Sequence, residues 1–209
     1  MAQPDLATLG LDRFYLVADR LHWLPRLLPL GLKLVQLRIK DQPETIVRAE
    51  LAEGLALCRA HGATLVVNDY WQLAIDLGAD WLHLGQEDLA DADVAAIRRA
   101  GLRLGISTHS DEELEVALGV DPDYVALGPV YETTLKKMPW GPQGLDRLGH
   151  WRGRIACPLV GIGGITLERA PGVFAAGADI VSVVSDVLGA PDPEARCAAW
   201  LDARDGWTR

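Results

Sequence analysis

The chain lacks the basic excess of a nucleic-acid-binding domain. Its 20 Lys and Arg face 29 Asp and Glu, a formal net charge of −9, where such domains normally carry a basic stripe. It also lacks any apolar run near the roughly 18 residues of a membrane span. Residues 1–10 show no basic flank leading into an apolar segment, so no secretory signal is read. A cytoplasmic protein binding neither nucleic acid nor membrane is therefore expected. Cysteine is scarce and scattered: Cys58, Cys157 and Cys197 fit neither a disulfide framework nor zinc spacing, and read as small buried apolar residues. Linker-like and low-complexity stretches are missing too. One domain is expected over residues 1–209, with 1–12 as an N-terminal extension, and self-association into a homo-oligomer is left open.

What the chain does have is a rhythm. Short apolar runs at 14–18, 33–38, 64–67, 81–84, 103–106, 123–127, 158–162 and 180–184 read as buried parallel strands. Helical patterns fall between them at 43–61, 70–77, 91–100, 110–119, 166–176 and 192–204. Ser110 with Glu113 forms a capping-box pattern, and Gly62, Gly78, Gly101 and Gly177 stand where helices stop. Each strand exits into polar, charged or glycine residues. An open doubly wound sheet gathers such residues near one switch point. Here they follow nearly every strand, which favours an α/β fold of the (β/α)8 TIM-barrel type with its active face at the strand ends.

Asp69 and Asp88 follow consecutive strands and so fall on neighbouring rim positions. Two carboxylates completed by phosphate oxygens and water suit Mg²⁺; helix capping by either residue is the competing reading. Arg38 and Lys40, two residues apart, point to one side of an extended segment, with Gln36 on the same parity. They suit a phosphate or form a solvated basic pair. Gly161-Ile162-Gly163-Gly164-Ile165 and Val184-Ser185 each precede a helix after the last two strands. Barrels often bind phosphate there through backbone N–H groups. His83 and His109 are open to acid–base work, phosphate contact or a structural role. Tyr70, Trp71, Trp81 and Trp140 are open to stacking on a heterocycle or to packing. The longest irregular stretch, 128–144, carries Thr133, Thr134, Lys136 and Lys137 and reads as a loop closing over an anion.

Taken together, Gln36-Leu37-Arg38-Ile39-Lys40, Asn68-Asp69-Tyr70-Trp71, His83-Leu84-Gly85-Gln86-Glu87-Asp88-Leu89, Gly105-Ile106-Ser107-Thr108-His109, Gly128-Pro129-Val130-Tyr131, Gly161-Ile162-Gly163-Gly164-Ile165 and Val183-Val184-Ser185 resemble the thiamine phosphate synthase family in order and spacing. The similarity runs from about Phe14 to Val187. It implies a transferase of thiamine biosynthesis that joins 4-amino-2-methyl-5-hydroxymethylpyrimidine diphosphate to a thiazole monophosphate or its carboxylated form, releasing pyrophosphate. It further implies Mg²⁺ on Asp69 and Asp88, with Arg38, Lys40, Asn68, His83 and Lys136 around the diphosphate. Gln36 would lie at the pyrimidine, and Gly164, Val184 and Ser185 at the thiazole phosphate. Ser107 and Thr133 belong to the same expected substrate-binding set, and Arg38, Lys40 and Lys136 to the catalytic one. The implied route is dissociative, with a carbocation-like pyrimidine.

The sequence departs from the family once. The loop reads Thr133-Thr134-Leu135-Lys136, with Leu135 in place of a second hydroxyl, so weaker loop closure or altered substrate handling is expected, without loss of activity. A thiazole tautomerase and a non-catalytic thiamine-phosphate-binding relative are the competing functions. Arg38, Lys40, Asp69, Asp88 and Lys136 argue against the first, since an isomerase has no use for a diphosphate site.

Overall fold

A computed structural model describes residues 5–133, 141–204 and 206–207. Eight parallel strands close into a barrel in sequence order: β1 (Phe14–Ala18), β2 (Leu34–Leu37), β3 (Thr64–Asn68), β4 (Trp81–Leu84), β5 (Arg103–Thr108), β6 (Tyr124–Leu127), β7 (Leu159–Ile162) and β8 (Ile180–Val183). β8 pairs back onto β1 through Phe14 with Val181 and Leu16 with Val183. All eight expected strands are present, within a residue or two at their ends.

Strand residues alternate between two cores because successive side chains take opposite faces. Leu16, Val35, Leu65, Val67, Leu82, Leu104, Val125 and Val181 face outward into the helices. Tyr15, Leu34, Val66, Trp81, Tyr124, Ala126, Val160 and Ile180 fill the interior. The interior is thus a packed core and not a pore. Residues 5–12, within the stretch read as an N-terminal extension, pack onto the barrel. The helix Leu6–Leu9 is capped by Asp5 and Gly10, and Leu6, Leu9 and Leu11 pack against the interior core. Thr64 Oγ1 donates to Gly10 O at 2.6 Å, and Arg103 donates to Leu9 O. Both partners stand at strand starts, so this segment stoppers the N-terminal end of the barrel.

Several helices differ from expectation. Of the stretch read as a helix over 91–100, Val94–Arg99 is helical, and a separate helix, Gln86–Asp91, precedes it. Ala92 is extended between them, and the Asp93 carboxylate caps the second by accepting from Ala96 N at 2.8 Å. The turn chemistry of Asp91-Ala92-Asp93 outweighs the helical spacing. The helix Gly144–Arg152 follows directly on the stretch read as irregular. Of the helix expected over 166–176, only Ala170–Ala175 is α-helical. The capping pattern at Ser110 holds: its hydroxyl accepts from Glu113 N at 3.2 Å. Cys58 and Cys197 are buried and Cys157 is partly buried. Burial pushes the Cys58 and Cys197 thiols up to about 12.

Candidate active site

Asp69 stands just past β3 with φ 65°, a left-handed conformation that Asp tolerates better than most side chains. That backbone turns the chain sharply before the helix Trp71–Asp76, whose N-cap is Tyr70, with no side-chain cap. The capping reading of Asp69 therefore falls away. Asp88 lies in the first turn of Gln86–Asp91 and likewise caps nothing near Asp91. The two carboxylates meet across the rim. Burial and then the negative charge of Asp69 push the Asp88 carboxyl above the usual carboxylate range, with Lys40 opposing. Lys40 Nζ pairs with Asp69 Oδ2. These groups line a cleft of about 490 Å³ together with Tyr70, Trp71 and Glu87.

Two facing carboxylates served by one ammonium leave uncompensated negative charge, which a divalent cation relieves. Among the described residues no group of three or more His, Cys, Asp or Glu is placed so that it could hold a metal ion by itself. Two carboxylates at such a rim would suit Mg²⁺, whose remaining positions phosphate oxygens and water can fill. Arg38 and Lys40 are both exposed at the rim. The Arg38 charge reaches inward far enough to bear on His83.

Next to the cleft, the upper interior of the barrel is polar. Gln36, Asn68, His83 and Ser182 are all buried and continue the inward parity of Leu34, Val66, Trp81 and Ile180. Gln36 Nε2 donates to Tyr15 Oη at 2.7 Å. Tyr15 Oη lies 3.1 Å from Tyr124 Oη, which lies 2.7 Å from His83 Nδ1. His83 Nε2 is 2.7 Å from Ser107 Oγ, and Gln86 Nε2 holds Ser107 O at 2.7 Å. Tyr124 reaches the axis because Gly105 beside it has no side chain: a Cβ there would lie 2.0 Å from the Tyr124 ring. Burial lowers the His83 imidazole to about 4, assisted by Arg38 and opposed by Asp69. His83 is therefore neutral near pH 7, and both its nitrogens are engaged by protein. Its reach toward a ligand passes through Ser107. Asn68 Nδ2 and Ser182 Oγ are buried with no hydrogen-bond partner among the described residues. Such atoms are costly unless something pairs with them, which makes this layer a candidate floor for a ligand site.

The opposite part of the rim is built from backbone. Gly163 and Gly164 adopt φ 96° and 63°, and both are hemmed in by the loop after β6. A Cβ on Gly163 would lie 2.7 Å from Pro129, and one on Gly164 2.3 Å from Glu132 O. Both ends of the 128–144 stretch are tied down. Val130 N donates to Ile162 O at 2.8 Å and Tyr131 N to Gly163 O at 3.0 Å; Gln143 N returns to Pro129 O at 2.7 Å. Ser185 is exposed at the start of the short helix Ser185–Leu188, with Val184 as its N-cap. Thr133 is the last described residue before 134–140. Thr134, Leu135, Lys136, Lys137 and Trp140 lie outside the described residues.

Other expectations resolve locally. His109 Nδ1 lies 2.8 Å from Glu113 Oε2, within the cap of its helix. Trp81 is interior core, with Arg103 over its ring, while Trp71 does line the cleft. Sequence reasoning missed Tyr15, Tyr124, Gln86 and Ser182. The available signal for Tyr124 was Gly105 inside the neighbouring strand, since such a glycine marks close approach by another group.

The sequence profile of the family described as thiamine monophosphate synthase matches residues 12–187. The chain belongs to that family. It is 59% identical over 198 residues to the thiamine-phosphate synthase of Rhizobium etli, covering 94% of this chain and 97% of the relative. It is 48% identical over 207 residues to the enzyme of that name from Salmonella schwarzengrund, covering 97% of each. The solved structure of thiamine phosphate pyrophosphorylase from Pyrococcus furiosus superposes with a TM-score of 0.82 at 26% identity, covering 93% of this chain and 96% of that one. A 3-hexulose-6-phosphate synthase, at 16% identity and a TM-score of 0.66, shares the fold alone. The chain is thus a (β/α)8 barrel enzyme of the transferase class, from a family of thiamine biosynthesis. Among its described residues no helix is long and apolar enough to cross a membrane.

Proposed function

We propose that this enzyme couples 4-amino-2-methyl-5-hydroxymethylpyrimidine diphosphate with 4-methyl-5-(2-phosphooxyethyl)thiazole, or, with loss of CO2, with its carboxylated form, to give thiamine phosphate and pyrophosphate. The observation that carries the proposal is the facing pair Asp69 and Asp88, paired with Lys40 and set beside a polar barrel interior. Bound there, Mg²⁺ would neutralise diphosphate oxygens as a Lewis acid. Lys40 and Arg38 would face the negative charge that grows as the C–O bond to diphosphate breaks, and fixed cations at such a point lower the barrier.

The electrons of that bond leave with the diphosphate. The aminopyrimidine delocalises the positive charge left on its methylene carbon, and the thiazole nitrogen supplies the lone pair for the new C–N bond. With the uncarboxylated thiazole no proton need move in this exchange, which agrees with a neutral, doubly engaged His83; with the carboxylated form the carbon that loses CO2 takes up one proton from solvent. Gln36, Ser107 and Ser182 would hold the polar edge of the pyrimidine, and Asn68 would meet the diphosphate beside Arg38 and Lys40. The Gly164 and Val184–Ser185 backbone would hold the thiazole phosphate, keeping the two rings in register. Thr133 and Lys136, from the loop after β6, would complete the diphosphate side and limit capture of the cation by water.

The test is to incubate the purified protein with both substrates and Mg²⁺ and quantify both products. Thiamine phosphate and pyrophosphate in equal amounts are expected. Pyrimidine consumed without thiamine phosphate, or no turnover at all, would overturn the proposal.

A further inference from the structure

The hydrogen bonds through the barrel interior have a direction. An amide nitrogen only donates, so Gln36 Nε2 occupies an acceptor site on Tyr15 Oη. The one Tyr15 proton must then serve its other contact, Tyr124 Oη. Tyr124 in turn has one proton, and its remaining contact is His83 Nδ1. A nitrogen that accepts carries no proton, so the imidazole proton sits on Nε2 and is donated to Ser107 Oγ. The Ser107 hydroxyl keeps its own proton for a further partner.

From this we infer that Tyr15 and Tyr124 are positioning residues: they set His83 in its Nε2–H tautomer and thereby turn the Ser107 hydroxyl into a donor toward the ligand, while Gln36 at the other end presents Oε1 as an acceptor. Neither tyrosine touches the rim. Tyr15 is 2% exposed and Tyr124 is fully buried, so they act through the groups at the two ends of the chain. The ligand chemistry that matches is a ring carrying an amino donor and a separate acceptor, with negative charge on the side of Arg38 and Lys40. The opposite polarity would turn Ser107 lone pairs toward that charge. The packing preserves this arrangement, since any side chain at position 105 would displace the Tyr124 ring.

The functional part of this inference rests on the synthase reading, whereas the tautomer does not. The first measurement is ¹⁵N NMR of the intact protein with labelled histidine, the His83 signals assigned by their loss in His83→Gln. A protonated Nε2 and an unprotonated Nδ1 are expected. A protonated Nδ1 would reverse the whole chain and overturn the inference, whatever the protein catalyses. The second uses Tyr124→Phe, which removes the hydroxyl and keeps the ring. Expected are loss of the single-tautomer signature and a fall in kcat/KM of roughly tenfold, the scale of one or two hydrogen bonds. Ser107→Ala in the Tyr124→Phe background should then add little further loss. A Tyr124→Phe protein that keeps one His83 tautomer and full kcat/KM would overturn the inference. If neither protein turns over substrate, the synthase reading has failed, and the wild-type NMR result still decides the tautomer.

Discussion

The two parts of the rim are built in different ways. After β2, β3 and β4 stand Lys40, Asp69 and Asp88, side chains that carry full charges and perturb one another. After β7 and β8 stand Gly163, Gly164 and the Val184–Ser185 turn, where the chemistry lies in backbone N–H groups. There the side chains are excluded by Pro129 and Glu132. The first region suits a group that must leave with more charge than it arrived with, because charges and a metal respond strongly to a change in charge. The second suits a phosphate that stays unchanged through the reaction and need only be held. On the proposed function, the contrast would let a chain of net charge −9 take two anionic substrates, with Arg38, Lys40 and a metal serving the first region.

The sharpest way to break this comparison is to remove a charge from the first region. Asp88→Ala should fold normally and lose turnover by about 10²-fold or more, the scale seen when one transition-state-stabilising group is deleted. Pyrophosphate release at saturating substrate checks it, and a rate near wild type would take Asp88 out of the site. In the second region, Gly164→Ala puts a methyl group against Glu132 O at a positive φ. It should destabilise the protein by about 1–3 kcal/mol and raise KM for the thiazole phosphate more than it lowers kcat. Denaturant melts and steady-state kinetics read the two effects. An equal loss in KM for both substrates would mean that the loops do not divide the labour as described.

The buried layer between the two regions gives a pH signature. An unfolded histidine binds its proton below about 6.5, whereas folded His83 resists until about 4. The stability conferred by keeping it neutral is full above pH 6.5 and lost as pH falls toward 4, to a total of about 3 kcal/mol. Urea unfolding at pH 7 and pH 4.5 should therefore show a larger drop for wild type than for His83→Gln. Equal drops would mean that His83 is hydrated or charged in the fold. The smallest effect expected is that of Ser185→Ala, which leaves the backbone N–H in place. KM for the thiazole phosphate should change by no more than about tenfold, the loss of one hydrogen bond. A larger change would shift the monophosphate site from backbone to side chain.

Much of this was legible in the sequence, and the part that was not has a physical reason. Strand positions and barrel closure follow from short doubly buried runs such as Val35–Leu37 and Ile180–Val183, each ending in polar residues. Asp69 and Asp88 were visible as a pair, but capping by either could be dismissed only once Asp69 was seen at φ 65° and Asp88 inside its helix. The Gln86–Asp91 helix was hidden because its single turn and a half gives too few positions for a period. The Gln36–Tyr15–Tyr124–His83–Ser107 chain was illegible for a deeper reason. It joins five strands whose inward residues meet only when the barrel closes, and Tyr15 and Tyr124 are 109 positions apart. Alternation places each of them on the inner face but says nothing of which hydroxyl meets which.

The account depends above all on the carboxylate pair holding a divalent cation that the leaving diphosphate requires. The most direct measurement is the rate of pyrophosphate release, with both substrates present, as Mg²⁺ is titrated into chelator-treated protein. The expected result is a saturable rise from a near-zero rate, absent from Asp88→Ala at the same Mg²⁺ concentrations. A full rate in the presence of excess chelator would contradict the account.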